Sequence, residues 1–150
     1  MKATILIFSA FAIAAASCQG QSISATKVPS VVVNKVQQAY PSAKDIDWKK
    51  ANENFEAEVK INDTTDVEII LNSTGNTIME KQEITISEIP AEVSTGITAL
   101  YKDYMIDEVE KVTKNGTVYY QVELEAKGKK DVNTVFNSSG KEEKSMKYWD

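Results

Sequence analysis

Histidine and arginine are both missing from this chain of 150 residues, and cysteine occurs once. Without imidazole there is no Ser-His or Cys-His nucleophile and no histidine metal site, and without guanidinium there is no fork for phosphate or carboxylate. Every one of the 17 basic residues is lysine, against 22 acidic residues and a formal charge of -5. That balance argues against nucleic acid as a partner, because duplex binding depends on cations that neutralise phosphates. The sequence also lacks a Walker loop, a GxGxxG turn and a D-x-[DN]-x-[DN]-G calcium loop. No cofactor is expected and no enzyme activity.

Met1-Lys2 precedes an apolar run from Ala3 to Ala16, shorter than the ~20 residues that span a bilayer. A basic start, an apolar centre and small residues at Ala14 to Ser17 read as a secretory signal over residues 1–20. Cys18 stands directly behind Ala15-Ala16-Ser17 and resembles the cysteine of a bacterial lipobox, which becomes a lipidated N-terminus. Ala15 occupies the position where such boxes usually carry leucine, and Ala14-x-Ala16 or a cut before Gln21 suits ordinary signal peptidase, so both routes stay open. The expected location is periplasmic or secreted, with a membrane leaflet involved only through a lipid on Cys18. The folded part then has no cysteine, and one apolar core must hold it without disulfides.

Beyond the signal the chain repeats itself. At an offset of 61 residues Val28-Pro29, Val32, Val36 and Tyr40 match Ile89-Pro90, Val93, Ile97 and Tyr101. At an offset of 65, Asp66-Val67, Asn72-Ser73 and Gly75 match Asp131-Val132, Asn137-Ser138 and Gly140. The second copy therefore carries four extra residues between its two blocks, and Val109 and Val112 mark them by breaking the alternation. The first block has helical spacing, as in Val93, Ile97, Leu100, Tyr101 and Tyr104, and predicts helices over 29–40 and 90–103, the latter with Ser87 as a cap. Gly96 weakens that helix.

Behind each helix the period becomes two. Phe55, Ala57, Val59 and Ile61 alternate with polar residues, as do Tyr120, Val122, Leu124 and Ala126. Parity allows Ile61 opposite Val67 and Ala126 opposite Val132, which leaves Asp63-Thr64-Thr65 and Gly128-Lys129-Lys130 as hairpin loops. Further strands are expected over 46–51 and 106–113, and a fourth in each unit over 77–85 and 141–148. The fold class is thus α+β: tandem αββββ repeats at 27–86 and 87–150, in one domain, with two helices on one face of an antiparallel sheet and the other face open.

The Val/Ile-Pro start, the helix ending in Tyr40-Pro41-Ser42-Ala43, the strand with Asp47-Trp48 and the Phe-Glu-Ala-Glu-Val strand at 55–59 resemble the PepSY-like, β-lactamase-inhibitor-protein-like family of exported proteins common in Bacteroidetes. The resemblance spans residues 27–148. It implies a module that binds protein through the exposed sheet face, and it carries no contact residue over.

Parity puts Glu56, Glu58, Lys60, Glu68, Ile70, Tyr119, Gln121, Glu123, Glu125 and Val135 on that face. Ile70 and Val135 are repeat-matched, outward and apolar, and with Tyr119 they form a candidate binding centre rimmed by carboxylates such as Glu58 and Glu123. Trp48 is expected inward, whereas Tyr148 and Trp149 suit either the core or the surface. The alternative is a small-ligand or envelope-glycan site with Tyr119 as a stacking platform. Glu56/Glu58 and Glu123/Glu125 resemble glycosidase acid pairs, but an open sheet gives no cleft to raise one of them. Four N-x-[ST] sequences read as turn chemistry, and Asp63-Thr64-Thr65 resembles a Bacteroidetes O-glycosylation motif centred on Thr64. The partner's identity and the oligomeric state are left open.

Overall fold

The structure, a computed structural model, describes residues 21–149. The signal and the Cys18 lipobox expectation lie outside the described residues. Eight antiparallel strands follow one another across a single sheet in chain order: β1 (Gln21–Ile23), β2 (Asp45–Ala51), β3 (Asn54–Lys60), β4 (Asp66–Leu71), β5 (Thr77–Glu83), β6 (Met105–Lys114), β7 (Thr117–Glu125) and β8 (Val132–Asn137). Helix α1 (Ser30–Ala39) precedes β2 and α2 (Ala91–Leu100) precedes β6. The halves join where β5 pairs with β6, Lys81 opposite Val112.

Both helices bury the first part of the stripe that their spacing predicts, Val32 and Val36 in α1 and Val93 and Ile97 in α2, whereas Leu100 is 58% exposed and Tyr101 and Tyr104 pack against the core from beyond the end of α2. Each helix lies over the inward face of its own strands. The first core gathers Trp48, Phe55, Ala57, Val59, Val67, Ile69 and Leu71, and the second gathers Val109, Tyr120, Val122, Leu124 and Phe136. Each Val, Leu, Ile or Phe among them contributes ~1.5–3 kcal/mol on leaving water, before entropy is counted. Pro90 sits one residue ahead of α2 rather than in its first turn, and α2 stops at Leu100, short of 103. No side chain caps α2, so Ser87 does not play that part; Thr85 instead caps the short turn Ile86–Glu88 ahead of the helix, its backbone N–H and hydroxyl both donating to Glu88 at 2.8 Å.

Three features depart from the sequence expectation. Both hairpins slip by two residues: Val67 faces Val59 and Val132 faces Leu124, not Ile61 and Ala126. Parity is preserved, so every side chain keeps its predicted face, and parity alone cannot separate registers that differ by two. The four extra residues fall in the β6–β7 hairpin, where Thr113–Val118 and Lys114–Thr117 add two pairs beneath a turn with Asn115 and Gly116 at φ 48° and 80°. The alternation breaks earlier, at the register shift between Ile106 and Glu108, so that Val109 faces the helix and Val112 the other side. Finally, the eighth strand is β1 and not 141–148. Beyond one bridge between Phe136 and Glu142, the tail leaves the sheet edge and crosses its open face.

The turn asparagines behave as their N-x-[ST] pattern suggests. Asn72 Oδ1 accepts from the Thr74 N–H at 3.0 Å and hydroxyl at 2.7 Å, and Asn137 Oδ1 accepts from Ser139 with the same two lengths. Asn72 and Asn137 thus serve turns at equivalent places in the two repeats, and Asn62 does the same for Thr64 in the β3–β4 loop.

Candidate functional site

Alternation along each strand directs Lys49, Glu56, Glu58, Glu68, Ile70, Met79, Lys81, Glu110, Val112, Tyr119, Gln121, Glu123 and Val135 away from the helices. Register then arranges them in rows across the strands. One row runs Lys49, Glu56, Ile70, Met79 and the next runs Asp47, Glu58, Glu68, Lys81, Val112, Tyr119. Ile70 and Met79 are thus direct neighbours, both half-buried. Lys49 lies between Glu56 and Glu58 at 3.3 and 3.4 Å on their flank.

Toward one end of the face the charge becomes strongly negative. Glu58, Asp66, Glu68, Glu83, Glu108 and Glu110 surround Lys81 around a depression of ≈ 220 Å³. Glu83 stands opposite Glu110 and Glu108 opposite Glu123, pairings that repel. Burial raises the Glu108 carboxyl above its ordinary value, helped by Glu110, Glu83 and Glu123. Burial likewise raises Glu68, opposed by the attraction of Lys81. Lys81 is 6% exposed and bridges Glu110 at 3.0 Å and Glu68 at 3.4 Å. Its own burial works to lower the ammonium, but the hydrogen bond and charge of Glu110, with Glu68, outweigh that and hold it above the ordinary lysine value.

At Val112 of β6, Gln121 of β7 and Val135 of β8 the face is covered by the tail. Met146, 8% exposed, packs with Val112 and Val135, and Met79, Tyr119, Tyr148 and Trp149 border this third apolar cluster. Gln121 is fully buried beneath the tail. Its Oε1 accepts the Trp149 N–H at 2.8 Å, and its Nε2 donates to the Trp149 carbonyl at 3.1 Å and to Glu110 at 2.8 Å. Lys81 Nζ donates to the same carbonyl at 3.1 Å and lies 5.2 Å from the indole centroid.

The candidate residues of the sequence therefore separate. Ile70, Glu58 and Glu123 are half-exposed on the open face. Val135 points to that face as parity requires, yet it is 3% exposed under Met146 and offers no free contact. Tyr119 is half-buried and packs against the same cluster. Trp48 is in the first core, and Thr64 is exposed in the β3–β4 loop. Sequence reasoning missed Lys81, Glu110 and the role of Gln121. The available signal was the isolated apolar Met146 and Trp149 in a charged tail, with a matched apolar residue, Val135, on the face within reach.

Among the described residues no group of His, Cys, Asp and Glu is placed to hold a metal, and no helix is long and apolar enough to cross a membrane. The molecule is a two-helix, single-sheet α+β module built on a duplication. The chain belongs to the "Putative beta-lactamase-inhibitor-like, PepSY-like" family, whose profile matches it twice, over residues 14–79 and 58–142. Solved structures share the fold. A DUF2874 family protein from Bacteroides uniformis superposes with TM-score 0.68 at 18% identity, over 77% of this chain and 86% of that one. A "putative periplasmic" protein from Bacteroides eggerthii gives 0.68 at 18% identity, over 77% and 85%. A BLIP-like protein from Bacteroides fragilis gives 0.63 at 20% identity, over 77% and 82%. No curated protein matches the chain.

Proposed function

We propose that this chain is an exported, non-enzymatic binding module that holds another protein of the cell envelope on the open face of its sheet, and that holding it inhibits or chaperones that protein. One observation carries the reading: Ile70 and Met79 pair across β4 and β5, half-exposed on the side away from both helices. A solvated sheet face needs no such pair, whereas an apolar centre ringed by Lys49, Glu56, Glu58 and Glu68 has the anatomy of a protein contact. The inhibitor-like family description and the periplasmic wording attached to the eggerthii structure support it.

The test is capture of a partner from an envelope extract on the purified chain, followed by carbodiimide labelling of carboxylates in the free and bound forms. Glu58 and Glu123 should lose label on binding while Glu92, exposed on α2, keeps it. Capture of nothing, or protection of Glu92 with Glu58 and Glu123 still labelled, contradicts the proposal.

A further inference from the structure

The covered half of the face is built to hold a polypeptide backbone. Gln121 satisfies both polar groups of one peptide residue, the N–H and the C=O of Trp149, and only one orientation of its amide does so while also donating to Glu110. Such a two-point clamp reads main chain rather than side chain, as an added strand would. Specificity then comes from two neighbouring features: the Val112–Val135 surface that takes the Met146 side chain, and the Lys81 ammonium beside the indole of Trp149. Lys144 and Lys147 of the tail are exposed, in keeping with a face whose carboxylates outnumber its cations. Gln121, Lys81 and Glu110 are buried on the side of the sheet away from both helices, and the Trp149 main chain bonds to the first two.

We infer that residues 144–149 are a displaceable strap: they close, in cis, a site for an extended partner segment that carries an aromatic residue and basic neighbours. This rests on reading the open face as a protein-binding surface. A short tether gives the strap an effective concentration on the order of millimolar. A strap that is docked nine-tenths of the time therefore implies that the same segment binds in trans at roughly a tenth of that concentration.

The experiment uses the full chain and a fluorescein-labelled peptide of residues 141–149, amidated so that the Trp149 carbonyl stays uncharged. The opened variant is Met146→Ser/Trp149→Pro, in which proline removes the clamped N–H. Fluorescence anisotropy should show the opened variant binding the peptide at least tenfold more tightly than wild type, and Gln121→Leu added to it should abolish the gain. Equal binding, or none by the opened variant at millimolar peptide, overturns the inference. Hydrogen exchange on the wild-type chain covers the case of an opened variant that fails to fold. The Trp149 amide should exchange at least a hundredfold faster than the Val122 amide of β7, and equal rates would make the tail a fixed part of the core. Neither measurement involves an envelope partner, so failed capture with successful peptide binding refutes the proposed function and leaves the strap standing.

Discussion

At the scale of single residues, the duplicated cores show how different side chains fill equivalent space. Trp48 lies opposite the small Ala57, and at the matching place in the second repeat Val109 lies opposite Val122, medium against medium. Both solutions pack, which is why a lone Trp in one repeat needs no functional explanation. The acidic end of the face is different, because Glu108 is placed against Glu123 with Glu110 and Glu83 nearby. Its folded-state pKa is raised, so the folded chain holds the Glu108 proton to a higher pH than the unfolded chain does. Ionisation therefore opposes folding; the penalty is complete above the raised value and absent below the ordinary 4.5. Replacing Glu108→Gln should stabilise the protein at pH 7 by roughly 0.2–1 kcal/mol in urea unfolding. The gain should vanish as the pH falls below 4.5. A variant no more stable at pH 7, or one whose gain persists in acid, contradicts this reading.

At the scale of elements, the two helices dock differently. A Cβ added at Gly96 of α2 would meet the Gly140 carbonyl oxygen at 2.0 Å, and one at Gly140, whose φ is +77°, would meet the Glu92 oxygen at 2.0 Å. In the first repeat Lys35 occupies the place of Gly96, and the nearest approach to a Cβ on Gly75 is 3.4 Å. The second turn thus presses directly on its helix. Gly96→Ala improves helix propensity by roughly 1 kcal/mol but should still lower stability by about 1–3 kcal/mol through overpacking. Thermal unfolding should show a lower Tm; an unchanged or higher one would mean the turn yields freely. Element type and facing were legible in the sequence because both follow from local periodicity. Hairpin register was not, because a slip of two residues leaves every face unchanged. β1 was not legible either, since three residues beside a presumed signal carry no period. The covering of Val135 and Gln121 depends on Met146 and Trp149 arriving from beyond the sheet edge, a contact that no local pattern encodes.

At the scale of the whole molecule, the sheet has one side sealed by two helices and another divided between a docked tail and a half-exposed patch around Ile70 and Met79. The fold explains why the tail can lie there: β8 is an edge strand, and the chain leaving it pairs briefly, with the Glu143 N–H donating to the Val135 carbonyl at 2.7 Å, before it turns over the face. Protein binding on the uncovered part is the central claim, and its most direct test compares affinities for the captured partner after equal insults to the two sides of the molecule. Isothermal titration should show Ile70→Asp weakening binding at least tenfold. Val31→Asp, on the exposed side of α1 where Val31 is 49% accessible, should leave it within twofold of wild type. The opposite pattern, with Val31→Asp abolishing binding and Ile70→Asp harmless, would move the working surface to the helices and contradict the account.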